Sequence, residues 1–125
     1  LHRDLDLCLL DTRHPFDNGF VLPRGLLREP PRHLRRAGVV VLTRFDRAGD
    51  DARAAARAAV RRHAPDALLL TAVHAPRGWV SPDGRPAPLD TARGARVRVV
   101  SGIADGDAFA RTVAELGAAV GDVVT

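Results

Sequence analysis

The sequence predicts an α/β protein: a mostly parallel sheet with crossover helices, plus a small β-hairpin. Three observations carry this reading. The run "LDLCLL" is nearly continuously apolar, as in a strand covered on both faces of a parallel sheet; "VVVL" reads as a second buried strand and "ALLLTAV" as a third strand. Between the second and third of them, "DDARAAARAAVRRH" has helical periodicity. The whole order, β-α-β-α-β, then a hairpin, then β-α-β, is that of strands joined by crossover helices.

Residues 5–10 form the first expected strand. A long connection, residues 11–30, follows. Pro30 and Pro31 then suit the first turn of a short helix that Gly38 stops. Residues 39–42 are the second strand. Residues 50–63 are the clearest helix. Ala52, Ala55, Ala56, Ala59 and Val60 make its apolar stripe. Asp50 and Asp51 sit at its positive end, and Arg61, Arg62 and His63 at its negative end. Arg53, Arg57 and Arg61 line a face read as solvated. Residues 67–73 are a third strand. Pro82-Asp83-Gly84 turns a hairpin that is the expected boundary between two subdomains. Residues 96–100 are a strand. "SGIADGDAF" leads through a cap at Asp105 or Asp107 into a helix that Gly117 ends. "AAVGDVV" is the last strand.

Composition narrows the function. The chain has 125 residues, 46% hydrophobic, enough for one domain with a core. No apolar run approaches the roughly 20 residues of a membrane span. The basic side chains are all arginine, and alanine is abundant, a pairing that GC-rich coding explains. The formal charge of +4 is therefore weak evidence for a polyanionic partner. With 4% aromatic residues and no Tyr, the stacking surfaces of a single-strand binder are lacking, and no nucleic-acid partner is expected. The single Cys8 excludes a disulfide framework. His2, His14, His33, His63 and His74 lack metal-ligand spacing, and no metal site is expected among these residues. The chain opens on Leu1, contains no Met, and enters a strand almost at once. Further sequence is expected before Leu1 and after Thr125.

The connection "DTRHPFDNGFVLPRGLLREP" is too long for an ordinary α/β loop, which takes only a few residues. Asn18 and Gly19 are expected to make a tight turn, since both tolerate positive φ. Pro23 and Gly25 shape the loop further. Asp11, at a strand end, either orients a metal-bound water or caps a turn. Glu29 either tethers Arg28 or caps the next helix. Arg24 shares the loop and could meet a lipid phosphate. "TRFD", residues 43–46, is similar to a base-reading T-K-x-D, but has Arg for Lys and no accompanying glycine loop.

"RDLDLCLLD", "PFDNGFVLPRGLLREP", "LRRAGVVVLTR" and "RVVSGIADGDAFARTVAELGA" together resemble the tetraacyldisaccharide 4'-kinase family, the lipid A 4'-kinases of Gram-negative bacteria. The sharpest element is N-G-x-x-L-P-x-G-x-L-R-E-P, from Asn18 to Pro30. The resemblance implies a P-loop-type kinase with ATP as cosubstrate and Mg²⁺. It would phosphorylate the 4'-position of tetraacyldisaccharide 1-phosphate, giving lipid IVA, at the cytoplasmic face of the inner membrane. The family's membrane contact is expected upstream of Leu1. On this reading residues 1–73 are part of the kinase core, 74–92 a hairpin linker, and 93–125 part of a second α/β segment.

The family's phosphate-cradling glycine loop with its Lys is absent, as are its "DDG-x-QH" and "DHH" segments. ATP and Mg²⁺ are then expected to be held mainly by residues outside this chain. No catalytic residue is expected within it, and the chain alone is not expected to turn over substrate. Arg28 is the first candidate for phosphate binding, because a guanidinium fork suits phosphate oxygens. Asn18, Gly19, Glu29 and Asp11 complete the expected substrate- or phosphate-binding set, as one wall of a phosphate cleft. The alternative is a noncatalytic α/β module that binds a nucleotide or a protein.

Overall fold

A computed structural model describes residues 3–103 and 105–124. Leu1, His2, Ala104 and Thr125, and with them one of the five histidines and part of "SGIADGD", lie outside the described residues. The chain divides into two compact units, Leu1–His74 and Ala75–Thr125.

In the first unit, β1 (Leu7–Asp11), β2 (Val39–Thr43) and β3 (Leu68–Thr71) form a parallel sheet in the order β1-β2-β3. A short 3-10 helix, Pro31–Arg36, lies in the first connection, and α1 (Asp50–His63) in the second. The order steps in one direction, so two right-handed crossovers place both helices on the same face. Leu34 and Ala37 from the first connection and Ala56, Val60 and Ala64 from α1 and its end bury Val40 and Leu42 of β2. Cys8, Leu10 and Leu69 pack onto that cluster from the outer strands.

The opposite face of this sheet is uncovered. Leu7, Leu9, Leu68 and Leu70 are all exposed, Leu9 by 61%. The expectation that the β1 run is covered on both faces is therefore corrected, and the β3 run is exposed on the same face. They are apolar on both sides, but the topology supplies helices to only one.

Arginines of α1 do more than face solvent. Arg53 Nε donates to the Phe45 carbonyl at 2.9 Å, and Arg61 to those of Pro65 and Ala67 at 3.1 and 3.4 Å. The guanidiniums of Arg53 and Arg57 lie 5.1 and 4.9 Å from the Phe45 ring centre.

In the second unit, β4 (Trp79–Val80) and β5 (Pro86–Ala87) make an antiparallel hairpin. The strands β6 (Arg96–Val100) and β7 (Ala119–Val124) pair in parallel, joined by α2 (Gly106–Glu115). Asp105 caps α2, its carboxylate accepting from Ala108 N at 3.0 Å. Gly117, at φ +93°, turns the chain out of α2. Val99, Ala110, Val113 and Ala118 are the buried core.

Candidate functional site

The long connection starts from a pinned strand end. Thr12 is buried, and both its amide and its Oγ1 donate to the Thr43 carbonyl, at 3.1 and 2.6 Å. Asp11 beside it caps the turn. Its Oδ1 accepts from Arg13 N and Nε at 3.0 and 3.1 Å, and its Oδ2 from Arg13 Nη2 at 2.8 Å. Arg44, at φ +53° after β2, adds a contact to Oδ2 at 3.3 Å. The Arg13 hydrogen bonds hold the Asp11 carboxyl below its ordinary pKa, against a smaller opposing effect of burial.

Beyond this point the chain closes on itself as a small lobe. Asn18 Oδ1 accepts from Phe20 N at 3.1 Å, and Gly19 adopts φ +77°. Leu22 N donates to the Leu27 carbonyl, Leu27 N to that of Phe20, and Gly25 N to that of Val21, at 2.9, 3.2 and 3.0 Å. Asn18 and Gly19 thus stand in a tight turn within a self-bonded loop.

Where the lobe returns toward the 3-10 helix, it walls a cavity of about 510 Å³ along β1. Leu7, Leu9, Phe16 and Leu27 form apolar lining; Asp6, Arg28, Glu29, His33 and Arg36 bring charge or polarity. Glu29 neither tethers Arg28 nor caps the helix. It forms a two-point ion pair with Arg36, its Oε1 accepting from Nη2 at 3.0 Å, and lies 3.4 Å from His33 Nδ1. The helix begins at Pro31, and its N-cap residue, Pro30, gives no side-chain cap. The expectation for Glu29 is corrected here: the 3-10 helix brings Arg36, in its last turn, back beside Glu29. Arg28 is exposed and, among the described residues, has no hydrogen-bond or ion-pair partner. Its guanidinium is left available at the cavity wall. Cys8 also lines the cavity, and burial pushes its thiol pKa up.

Of the expected set, the cavity brings together Arg28 and Glu29. Asp11 stands at the end of β1, and Asn18 and Gly19 belong to the lobe; none of the three lines the cavity. The donors do not fit a Mg²⁺ site. Asp11 is already held by two guanidiniums, and among the described residues no three Asp, Glu, His or Cys side chains converge. Sequence reasoning missed Arg13, Arg44 and Arg36. An Asp at a strand end with Arg two residues on was the available signal for the first. Nothing local announces the other two, which arrive from later elements.

A parallel α/β sheet, with a charged cavity along β1 walled by the long loop from that strand's carboxyl end, defines an α/β protein with a candidate ligand site there. The chain belongs to the tetraacyldisaccharide-1-P 4'-kinase family, whose model matches residues 1–124. It is 43% identical to a tetraacyldisaccharide 4'-kinase of Anaeromyxobacter dehalogenans strain 2CP-C, over 96% of this chain and 32% of that protein. It is 46% identical to that of Anaeromyxobacter sp. strain Fw109-5, over 96% and 32%, and 37% identical to that of Desulfatibacillum aliphaticivorans, over 98% and 33%. The chain thus spans about a third of the length of these relatives. No solved structure matches it.

Proposed function

We propose that this chain is a section of an ATP-dependent kinase that phosphorylates the 4'-hydroxyl of tetraacyldisaccharide 1-phosphate, giving lipid IVA at the cytoplasmic face of the inner membrane. The family membership supports the reaction class. The observation that carries this chain's part in it is Arg28, a guanidinium with no partner among the described residues, on the wall of a partly apolar cavity. In phosphoryl transfer, positioning and charge neutralisation outweigh covalent chemistry. Arg28 would hold phosphate oxygens in a charge-assisted fork, while the Glu29–Arg36 pair fixes the backbone beside it. ATP, with Mg²⁺, would be held mainly by residues beyond this chain, which has no Lys to offer a glycine-rich loop.

The test is a chimera. The matching third of the Anaeromyxobacter dehalogenans relative is replaced by this chain, and transfer of labelled phosphate from ATP to tetraacyldisaccharide 1-phosphate is measured. The chimera is expected to transfer phosphate, and Arg28→Ala to lower transfer by at least about tenfold, the scale of one lost charge-assisted contact. Unchanged kcat and KM in Arg28→Ala would remove Arg28 from the site.

A further inference from the structure

We propose that the lobe between Asn18 and Leu27 is an interfacial foot that seats on an anionic lipid bilayer. Four large apolar side chains crowd this short lobe, all exposed: Phe20, Val21, Leu22 and Leu26, the last by 73%. Such a density on one exposed element is unusual for a surface facing only water. The lobe is also suited to a medium of low polarity. The amides of Phe20, Leu22, Gly25 and Leu27 all donate within it, so entry strands none of these donors.

Charge selects the partner. Residues 18–28 contain Arg24 and Arg28 and no acidic residue. The Arg24 guanidinium lies 3.8 Å from the centre of the Phe20 ring, so a cation rides at the level of the apolar surface. An exposed element that sets a cation beside large apolar side chains complements acyl chains below anionic headgroups. A second copy would bring Arg24 against Arg24, and fits less well.

The inference rests on the proposed action upon a lipid substrate for its purpose. Its test is separate, because it reads bilayer binding with neither ATP nor disaccharide present. The 125-residue chain is sedimented with vesicles of phosphatidylcholine alone or mixed with phosphatidylglycerol. Binding to the mixed vesicles is expected to be the stronger. Leu22→Ser with Leu26→Ser should weaken it at least about tenfold, and Arg24→Gln about fivefold, the share of one cation near an anionic surface. Both changes lie on exposed side chains, and circular dichroism checks that the fold is kept. Equal binding to neutral and anionic vesicles, no binding to either, or wild-type binding by the double variant would each overturn the proposal. So would a dimer of the wild-type chain that the double variant dissociates, since the lobe would then be a contact between copies.

Discussion

Asn18 and Gly25 interlock across the base of the lobe. Gly25 is buried, and a Cβ built on it would overlap both Asn18 Oδ1 and the Phe20 carbonyl. The amide oxygen that closes the Asn18 turn therefore occupies the space that any side chain at position 25 needs.

Gly25→Ala is accordingly expected to open the lobe. One of the overlapping groups is backbone and cannot swing aside, so a loss of about 2 kcal/mol is expected, typical of an overpacked site. Urea unfolding measures it, and faster hydrogen exchange at Leu22, Gly25 and Leu27 localises it. Asn18→Ala, which removes the acceptor for Phe20 N and the Nδ2 donor to the Arg24 carbonyl, should cost about 1 kcal/mol.

Arg28 and Glu29 are neighbours with opposite expected signatures. Arg28 has no partner among the described residues, so Arg28→Ala should leave the unfolding midpoint of this chain unchanged while it lowers transfer in the chimera. Glu29→Gln removes the pairing with Arg36 and His33, and should act through the geometry of the 3-10 helix. A shift in unfolding with Arg28→Ala would show that the guanidinium is structural.

The Asp11 turn carries a pH dependence whose sign follows from its pKa. The folded carboxyl is held below its ordinary value by Arg13. Its stabilising contribution is thus full above the ordinary carboxylate pKa of about 4 and is lost as pH falls through the lower folded value. Asp11→Asn should lower stability at neutral pH and reduce the loss on acidification. Equal slopes of stability against pH below pH ~4 in the two proteins would contradict this.

Leu42 and Leu9 look alike in sequence and should behave differently. Leu42 is fully buried in the central strand, and Leu9 is on the uncovered face. Leu42→Ala should cost about 3 kcal/mol. Leu9→Ala should stay within about 0.5 kcal/mol, as for a surface position. Equal costs would mean that the second face is covered in solution.

These residues also show what could be read before the fold was known. The helix α1 runs over Asp50–His63, as its periodicity, acidic start and basic end indicate, because each of those signals is local. Asp105 could be placed as one of two candidate caps for the same reason. Coverage of β1 could not be read. Whether Leu9 meets a helix depends on which side the crossovers pass, a property of strand order and not of the run itself. The partner of Glu29 was likewise hidden, since a 3-10 helix of Pro31–Arg36 sets it beside Arg36 and away from Arg28. Within the candidate site, the residue types and the loop's importance were legible. The division into a capped strand end, a closed lobe and a cavity wall was not, because it depends on which of many possible partners each group takes: Thr12 bonds to Thr43 on the next strand, and Glu29 pairs with Arg36.

The leucines of β1 and β3 have a practical consequence. Leu7, Leu9, Leu68 and Leu70 give the first unit one greasy flank that water does not tolerate at high concentration. Preparations of the 125-residue chain will cloud before they denature: light scattering will climb with concentration while the circular dichroism stays native. Threonine at Leu9 and Leu70 should clear them, because these side chains lie outside the buried cluster that holds the sheet to its helices.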